Sequence, residues 1–155
     1  MGYRRLFIIR KDLELTPGKL AAMVGHCAEG YWTRLLRRHV VGQVAATSAG
    51  GDRETLGAYR TECIDIDKEI YEQYLEGAYV KTICQARNRN QLMKAIDLAE
   101  ELGLVNGEDF GVINDKCLTE LVPENEDGTT TVGIWFRPLP DEEAHKISKK
   151  YHLYV

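Results

Sequence analysis

The stretch from residue 6 to residue 31 constrains the fold more than any other part of this chain. It opens with four consecutive apolar residues, 6–9, and the absence of polar alternation predicts a strand that is buried on both faces. Thr16 and Pro17 then predict a helix start, because a hydroxyl caps the helix and proline suits its first position. In a sheet flanked by helices, ligands usually bind at the corner between such a strand and helix.

Helical spacing after Pro17 predicts two faces on this first helix. Lys19, Met23, His26 and Gly30 recur beside an apolar stripe. Lys19 in the first turn opposes the helix dipole, so it gains from a nearby anion or a developing negative charge. The alternative is a solvent-exposed lysine. A lone histidine such as His26 is more often a structural hydrogen-bonding group than a catalyst, and both roles stay open here.

The chain has 155 residues, of which 44% are apolar and 28% are charged. These values predict one domain spanning residues 1–155. No apolar segment is long enough to cross a bilayer and no export signal is visible, so we expect no membrane association and a cytoplasmic location. The four cysteines are scattered and the histidines show no ligand spacing, which argues against a metal site.

Charge is distributed unevenly along the chain. The net charge is −4, yet residues 1–42 contain eight basic and three acidic residues. A basic region on an acidic chain is consistent with a phosphate-bearing partner. A solvated basic helix end is the alternative, and charge alone does not separate the two.

Periodicity in the remaining sequence predicts three further strands and three further helices. The strands are expected at 79–86, 110–114 and 129–136, and the helices from Asp65 or Asp67 to residue 76, from Asn88 or Asn90 to about residue 104, and at 141–150. Helices between the early strands imply parallel crossovers, and a hairpin after the third strand would make the four-stranded sheet mixed. Residues 40–62 lose periodicity, which predicts a loop insertion.

Asp115 follows the third predicted strand, at the sheet edge where crevices open. Thr119 lies four residues later, and a coiled backbone would turn its hydroxyl toward the same place. An aspartate and a threonine so placed can orient a water molecule, with the carboxylate as base or hydrogen-bond acceptor. The alternative is a carboxylate that caps the following turn, and both interpretations stay open.

At two places the chain resembles the type II peptidyl-tRNA hydrolases. The opening pattern of that family, approximately R-x-D-L-K-M-x-K-G-K-x-A-A-Q-x-x-H-A, corresponds to residues 10–28, RKDLELTPGKLAAMVGHCA. Its second signature, close to D-A-G-R-T-Q-I-x-P, corresponds to residues 115–123, DKCLTELVP. The resemblance covers nearly the whole chain. It implies a single three-layer α/β domain with helices on both faces of the sheet, and residues 40–62 as an insertion.

The resemblance also implies which residues form the site. By position, Lys19, Asp115 and Thr119 correspond to the catalytic lysine, aspartate and threonine, and His26 corresponds to the family histidine. The substrate-binding residues expected with them are Arg10, Met23, Arg34, Arg37 and Arg38, and Arg4 and Arg5 are further candidates for steering the tRNA. The sequence departs from the family pattern at Pro17, Met23, Leu118 and Glu120, which replace lysine, glutamine, arginine and glutamine.

The resemblance implies hydrolysis of the ester that joins a peptide, or an N-blocked amino acid, to the 3′ end of tRNA. It implies tRNA as partner, a homodimer, and neither a metal nor an organic cofactor. One alternative is a non-catalytic homologue that binds RNA or a protein through the same crevice. Another is a hydrolase that acts on a different acyl ester.

Overall fold

The computed structural model describes residues 2–47, 58–59 and 61–155, with the side chains of residues 38–47 outside that description. The elements in chain order are β1 (Tyr3–Arg10), α1 (Pro17–Thr47), α2 (Lys68–Ile70), a π-helical continuation of α2 (Tyr71–Ala78), β2 (Val80–Ala86), α3 (Arg89–Glu101), β3 (Phe110–Asp115), β4 (Thr130–Phe136), β5 (Leu139–Pro140), α4 (Asp141–Ser148) and β6 (His152–Leu153).

The strands form one mixed sheet in the order β3-β4-β1-β2-β6, with β5 paired to β1. Strands β1 and β2 are parallel, whereas β4 is antiparallel to both β1 and β3, so β3 runs in the same direction as β1. The predicted mixed sheet and the hairpin between β3 and β4 are confirmed. The sheet has six strands rather than four because β5 and β6 contain only two residues each, too few to show a periodic pattern.

Helices cover both faces of the sheet, as the three-layer α/β fold requires. Helices α3 and α4 pack on one face, where Leu92, Ala95 and Ile147 are buried against the strands. Helix α1 packs on the other face through Met23 and Cys27. Neighbouring residues of β1 therefore contribute to different cores, which explains why residues 6–9 are all apolar.

Polar caps fix the starts of two helices and decide between the predicted alternatives. The Asp67 side chain accepts a hydrogen bond from Ile70 N at 3.1 Å, and the Asn88 side chain accepts one from Gln91 N at 2.9 Å. Helix α3 is followed by Gly103, whose φ of 80° lies in the left-handed region that suits a helix end.

The first helix is longer than the sequence predicts. Residues 40–47 were expected to belong to a loop, but α1 continues through Thr47. Extending an existing helix adds one hydrogen bond for each residue that is fixed, without a new nucleation cost. This segment contains one glycine and no proline to stop the extension. The middle of the predicted insertion, residues 48–57, and residue 60 lie outside the described residues.

Candidate active site

One cavity of about 1370 Å³ lies between α1, the edge strand β3 and the turn that follows β3. Helix α1 begins just after the carboxyl end of β1. Because β3 runs in the same direction as β1, its own carboxyl end meets the start of α1 at one edge of the sheet. This topology brings together two segments that are about 100 residues apart in the sequence.

Lys19 reaches this edge from the first turn of α1. Its backbone N–H donates a long hydrogen bond of 3.4 Å to Thr16 Oγ1, as expected for a hydroxyl at the helix start. Its side-chain Nζ donates to Asp115 Oδ2 at 2.8 Å and to Thr119 Oγ1 at 3.0 Å. The structure therefore brings together the amine, the carboxylate and the hydroxyl that the sequence nominated.

Asp115 is the last residue of β3, and each of its carboxylate oxygens has a separate donor. Oδ2 accepts from Lys19, and Oδ1 accepts from the backbone N–H of Cys117 at 2.8 Å. Burial alone would raise the pKa of Asp115. The hydrogen bonds from Lys19 and Cys117, together with the charge of Lys19 and the nearby His26, outweigh burial and lower that pKa below its ordinary value.

The Lys19–Asp115 pair is mostly shielded from solvent. The exposed fractions of the two side chains are 12% and 10%, respectively. Electrostatic interactions are stronger in such a shielded position than on an open surface, so the pair can act on a charge that develops nearby. Thr119 is exposed, and because its oxygen accepts from Lys19, its own proton is available to a second partner such as water.

Glu120 ties the turn after β3 to the start of α1. Its carboxylate accepts from Thr16 Oγ1 at 2.6 Å and from Thr16 N at 3.3 Å. A negative charge at a helix N-terminus is stabilised by the helix dipole. Glu120 thus replaces the glutamine of the family pattern with a group that holds the two halves of the site together.

Besides Lys19, three of the cationic or titratable residues predicted from α1 line the same cavity. His26, Arg34 and Arg37 are all on its wall. Arg34 also forms a salt bridge of 3.3 Å with Glu108 and donates to its carbonyl at 2.8 Å, which fixes the guanidinium at the end of the cavity far from Lys19. The side chain of Arg38 lies outside the description.

Arg10 and Met23 are not among the cavity-lining residues, although the sequence placed them with the substrate-binding residues. Arg10 is buried and donates to Asp12, to Glu124 and to the carbonyl of Thr131, so its donors are engaged inside the protein. Met23 is buried in the core between α1 and the sheet. Met23 comes four residues after Lys19, which is slightly more than one helical turn of 3.6 residues. It is therefore rotated around α1 relative to Lys19 and faces the sheet.

Arg4 and Arg5, the two further candidates for steering tRNA, also make internal contacts. Arg4 pairs with Asp141 at 2.7 Å. Arg5 is fully buried and donates to the carbonyls of Cys27, Ala28 and Phe136. Burial lowers the pKa of Arg5 to about 10, so its guanidinium stays charged at neutral pH. The pattern of apolar residues in the sequence around a basic residue does not indicate that the basic side chain is buried in this way.

Three residues shape the cavity floor, of which sequence reasoning placed Gly30 on the Lys19 face of α1 but missed Gly111 and Trp135. A Cβ on Gly30 would lie 2.6 Å from Trp135 Nε1, and one on Gly111 would lie 2.7 Å from Trp135 Cε2. The indole therefore lies between two glycines, one on α1 and one on β3. Because every residue of β4 is buried, its sequence shows no alternation that would assign Trp135 to this face.

The arrangement provides what hydrolysis of an ester requires. An ionised carboxylate can orient a water molecule, and an ammonium group beside it can stabilise an oxyanion. Within the described ranges, no group of three or more histidine, cysteine, aspartate or glutamate side chains could hold a metal ion. No helix in the same part of the chain is long and apolar enough to cross a membrane.

Comparison with known proteins gives a consistent result. The family model described as peptidyl-tRNA hydrolase PTH2 matches residues 3–154. A peptidyl-tRNA hydrolase of Thermoplasma acidophilum is 22% identical to the chain, over 99% of both sequences. Those of Methanopyrus kandleri and Thermococcus sibiricus are 25% and 27% identical, respectively, over 94% of this chain and 93% and 92% of their own lengths.

Proposed function

The chain belongs to the peptidyl-tRNA hydrolase PTH2 family, and we propose that its hydrolysis of the ester bond of peptidyl-tRNA takes place at Lys19, Asp115 and Thr119. One observation carries this assignment of the site. The Lys19 amine donates to both the Asp115 carboxylate and the Thr119 hydroxyl inside one large cavity, although 96 and 100 residues of sequence separate them. No observation favours the non-catalytic alternative or a different ester substrate.

In the proposed reaction, a water molecule held by Asp115 attacks the carbonyl carbon of the ester. Asp115 takes up a proton from this water as the new C–O bond forms. The bond between that carbon and the terminal ribose oxygen then breaks, and the ribose oxygen receives the proton. The products are a peptide with a free carboxyl group, which releases its proton to water, and a tRNA with free ribose hydroxyls.

Lys19 and Thr119 act on the charge that this attack creates. The carbonyl oxygen becomes an oxyanion in the tetrahedral intermediate, and in this proposal the Lys19 ammonium stabilises it. Thr119 uses its remaining proton to hold the water or the oxyanion. His26, on the same wall of the cavity, is proposed to contact the substrate at this end.

Arg34 and Arg37 are proposed to bind phosphates of the tRNA. They lie 15 and 18 residues after Lys19 on the same helix, so their Cα atoms are roughly 22 and 27 Å from that of Lys19 along the axis. This distance spans a few nucleotides of single-stranded RNA, which allows the acceptor end to lie along α1 with its ester at Lys19. We propose the same role, binding a phosphate of the tRNA, for Arg38.

Hydrolysis of N-acetyl-aminoacyl-tRNA, followed as loss of the ester, tests the site. The change Asp115→Asn is expected to lower kcat/KM by about 10²–10⁴-fold, and Lys19→Ala by about 10²–10³-fold. The matched controls Asp97→Asn and Lys94→Ala alter exposed residues of α3 and should leave kcat/KM unchanged. A wild-type rate in either site variant would remove the assignment.

We further propose that the protein is a cytoplasmic homodimer. The resemblance to a family that commonly forms dimers supports the oligomeric state, and the use of tRNA as substrate supports the location. Light scattering of the purified protein tests the first statement, since the mass of one chain is 17.6 kDa and a dimer has twice that value. Cell fractionation with an antibody against the chain tests the second.

A further inference from the structure

Cys117 has an unusual backbone conformation two residues after Asp115. Its φ of 58° lies in the left-handed region, where a residue with a Cβ is uncommon. The corresponding position of the family pattern is a glycine, the residue that adopts such angles without strain. Conformations of this kind persist only where the surrounding structure enforces them.

The tight turn that contains this residue brings the Cys117 N–H to the reactive carboxylate. The N–H donates to Asp115 Oδ1 at 2.8 Å, while Lys19 donates to Oδ2 at the same distance. An ionised carboxylate accepts about four hydrogen bonds, so two acceptor positions remain for water. With one donor on each oxygen, rotation of the carboxylate plane is disfavoured, and the two remaining positions have a preferred direction.

The Cys117 side chain anchors the same turn to the sheet. Its Sγ lies 3.5 Å from the backbone oxygen of Asp115 and 3.4 Å from Thr130 Oγ1. Thr130 is fully buried in β4, where it is the register partner of Asp115. The thiol therefore fills a place beside a rigid strand and supports the left-handed backbone.

We propose that Cys117 is a positioning residue for ester hydrolysis, which orients the Asp115 carboxylate through its backbone N–H in a left-handed turn. This inference rests on the proposed function, because it assigns Asp115 the role of holding the attacking water. The N–H makes the contact, whereas the thiol has only the supporting role. A change that preserves the backbone angle should therefore be tolerated, and one that resists it should not.

Three substitutions separate the backbone from the thiol. Cys117→Gly keeps the N–H and permits the left-handed angle, and Cys117→Ala removes only the sulfur. Cys117→Val introduces a β-branched side chain that strongly disfavours this angle. We expect kcat/KM within about twofold of wild type for the first two variants and about tenfold lower for Cys117→Val.

The titration of Asp115 provides a readout that a purely structural role would not change. Its carboxyl carbon can be followed by ¹³C NMR. The other groups facing it are Lys19 and His26 of α1 and Lys116 and Thr119 of the turn. These groups are unchanged in all three variants, so loss of the N–H donor in Cys117→Val should raise the pKa of Asp115, whereas Cys117→Gly and Cys117→Ala should keep the wild-type titration.

A measurement on the wild type keeps the test valid if Cys117→Val does not fold. The amide proton of Cys117 should shift with the same pH midpoint as the Asp115 carboxyl, and this shift should vanish in Asp115→Asn. An amide proton that does not follow Asp115, or a Cys117→Val variant with the titration and rate of Cys117→Ala, would overturn the inference. If the wild type does not cleave the ester, the proposed function is wrong, whereas the result for the Cys117 amide proton still holds.

Discussion

The amine of Lys19 lies 2.8 Å from a carboxylate oxygen of Asp115, and each group comes from the end of a different element that meets the same edge of the sheet. The pair follows from topology, since β1 and β3 run in one direction on either side of β4 and their carboxyl ends lie at the same end of the sheet. Only a small part of either side chain is exposed. We expect the pair to affect stability and, under the proposed function, ester hydrolysis, and both effects can be measured.

The stability that Asp115 contributes should depend on pH in a defined direction. Its pKa is lowered in the folded state, so the unfolded chain binds the proton more tightly. This contribution is complete above the unfolded-state pKa of about 3.9 and is lost as the pH falls through the folded-state value. The difference in free energy of unfolding between wild type and Asp115→Asn should be constant from pH 7 to pH 5. Below pH 4, the wild type should lose stability relative to Asp115→Asn.

Urea denaturation at several pH values measures this difference. Asp97→Asn, an exposed change on α3, serves as the control for the removal of one negative charge. A difference for Asp115→Asn that stays constant down to pH 2 would mean that the carboxylate is not favoured in the folded state.

Arg5 should contribute to stability rather than to tRNA binding. It is fully buried, and its donors bond to three backbone carbonyls, two on α1 and one at the end of β4. Arg5→Ala leaves a cavity and removes these bonds, so we expect the free energy of unfolding to fall by about 2–4 kcal/mol. Thermal or urea denaturation measures the loss.

Arg87→Ala is the control for Arg5→Ala, because Arg87 is exposed just before α3. This change should alter stability by no more than about 0.5 kcal/mol. Equal effects of the two substitutions would contradict the structural role of Arg5.

The sequence was sufficient to predict the parts of the fold that depend on local pattern. Alternation of apolar runs and helical stripes placed the four long strands and the order of the helices, and Thr16 with Pro17 marked the start of α1. The two signatures nominated Lys19, Asp115 and Thr119, which the structure joins by hydrogen bonds. A short signature can identify site residues because those residues lie close together in the sequence.

The missed features depend on contacts between distant segments. Nothing near Arg5 in the sequence indicates that backbone carbonyls of other elements would surround its side chain. Likewise, nothing near Arg10 indicates that it would pair with Glu124. The burial of Met23 depends on how α1 is rotated against the sheet. The enclosure of Trp135 requires glycines from two other elements. The family pattern does mark position 117 as glycine, which is a signal for the left-handed turn.

Leu118 offers a way to test the path of the tRNA. It is 85% exposed on the cavity wall, at the position of an arginine in the family pattern. Leu118→Arg should add one phosphate contact, so tRNA binding should tighten. The slope of log Kd against log salt concentration should then become steeper by about 0.7–0.9.

Val122→Arg is the matched control for Leu118→Arg. Val122 is 78% exposed in the same loop but is not among the cavity-lining residues. The two variants have the same net charge, so any effect of overall charge appears in both. A salt slope that changes equally in the two variants would show that the RNA does not pass Leu118.

Two glycines on α1 should respond in opposite ways to the same substitution. A Cβ on Gly30 would lie 2.6 Å from the Trp135 ring, whereas one on Gly25 would meet nothing within 4 Å. Gly30→Ala forces the indole out of place, so we expect stability to fall by about 1–3 kcal/mol and ester hydrolysis to slow as the cavity floor shifts. Gly25→Ala only restricts the unfolded chain and should stabilise the protein by about 0.5–1 kcal/mol. Urea denaturation of both variants tests the packing, and a stabilised Gly30→Ala with normal activity would show that Trp135 does not lie against α1.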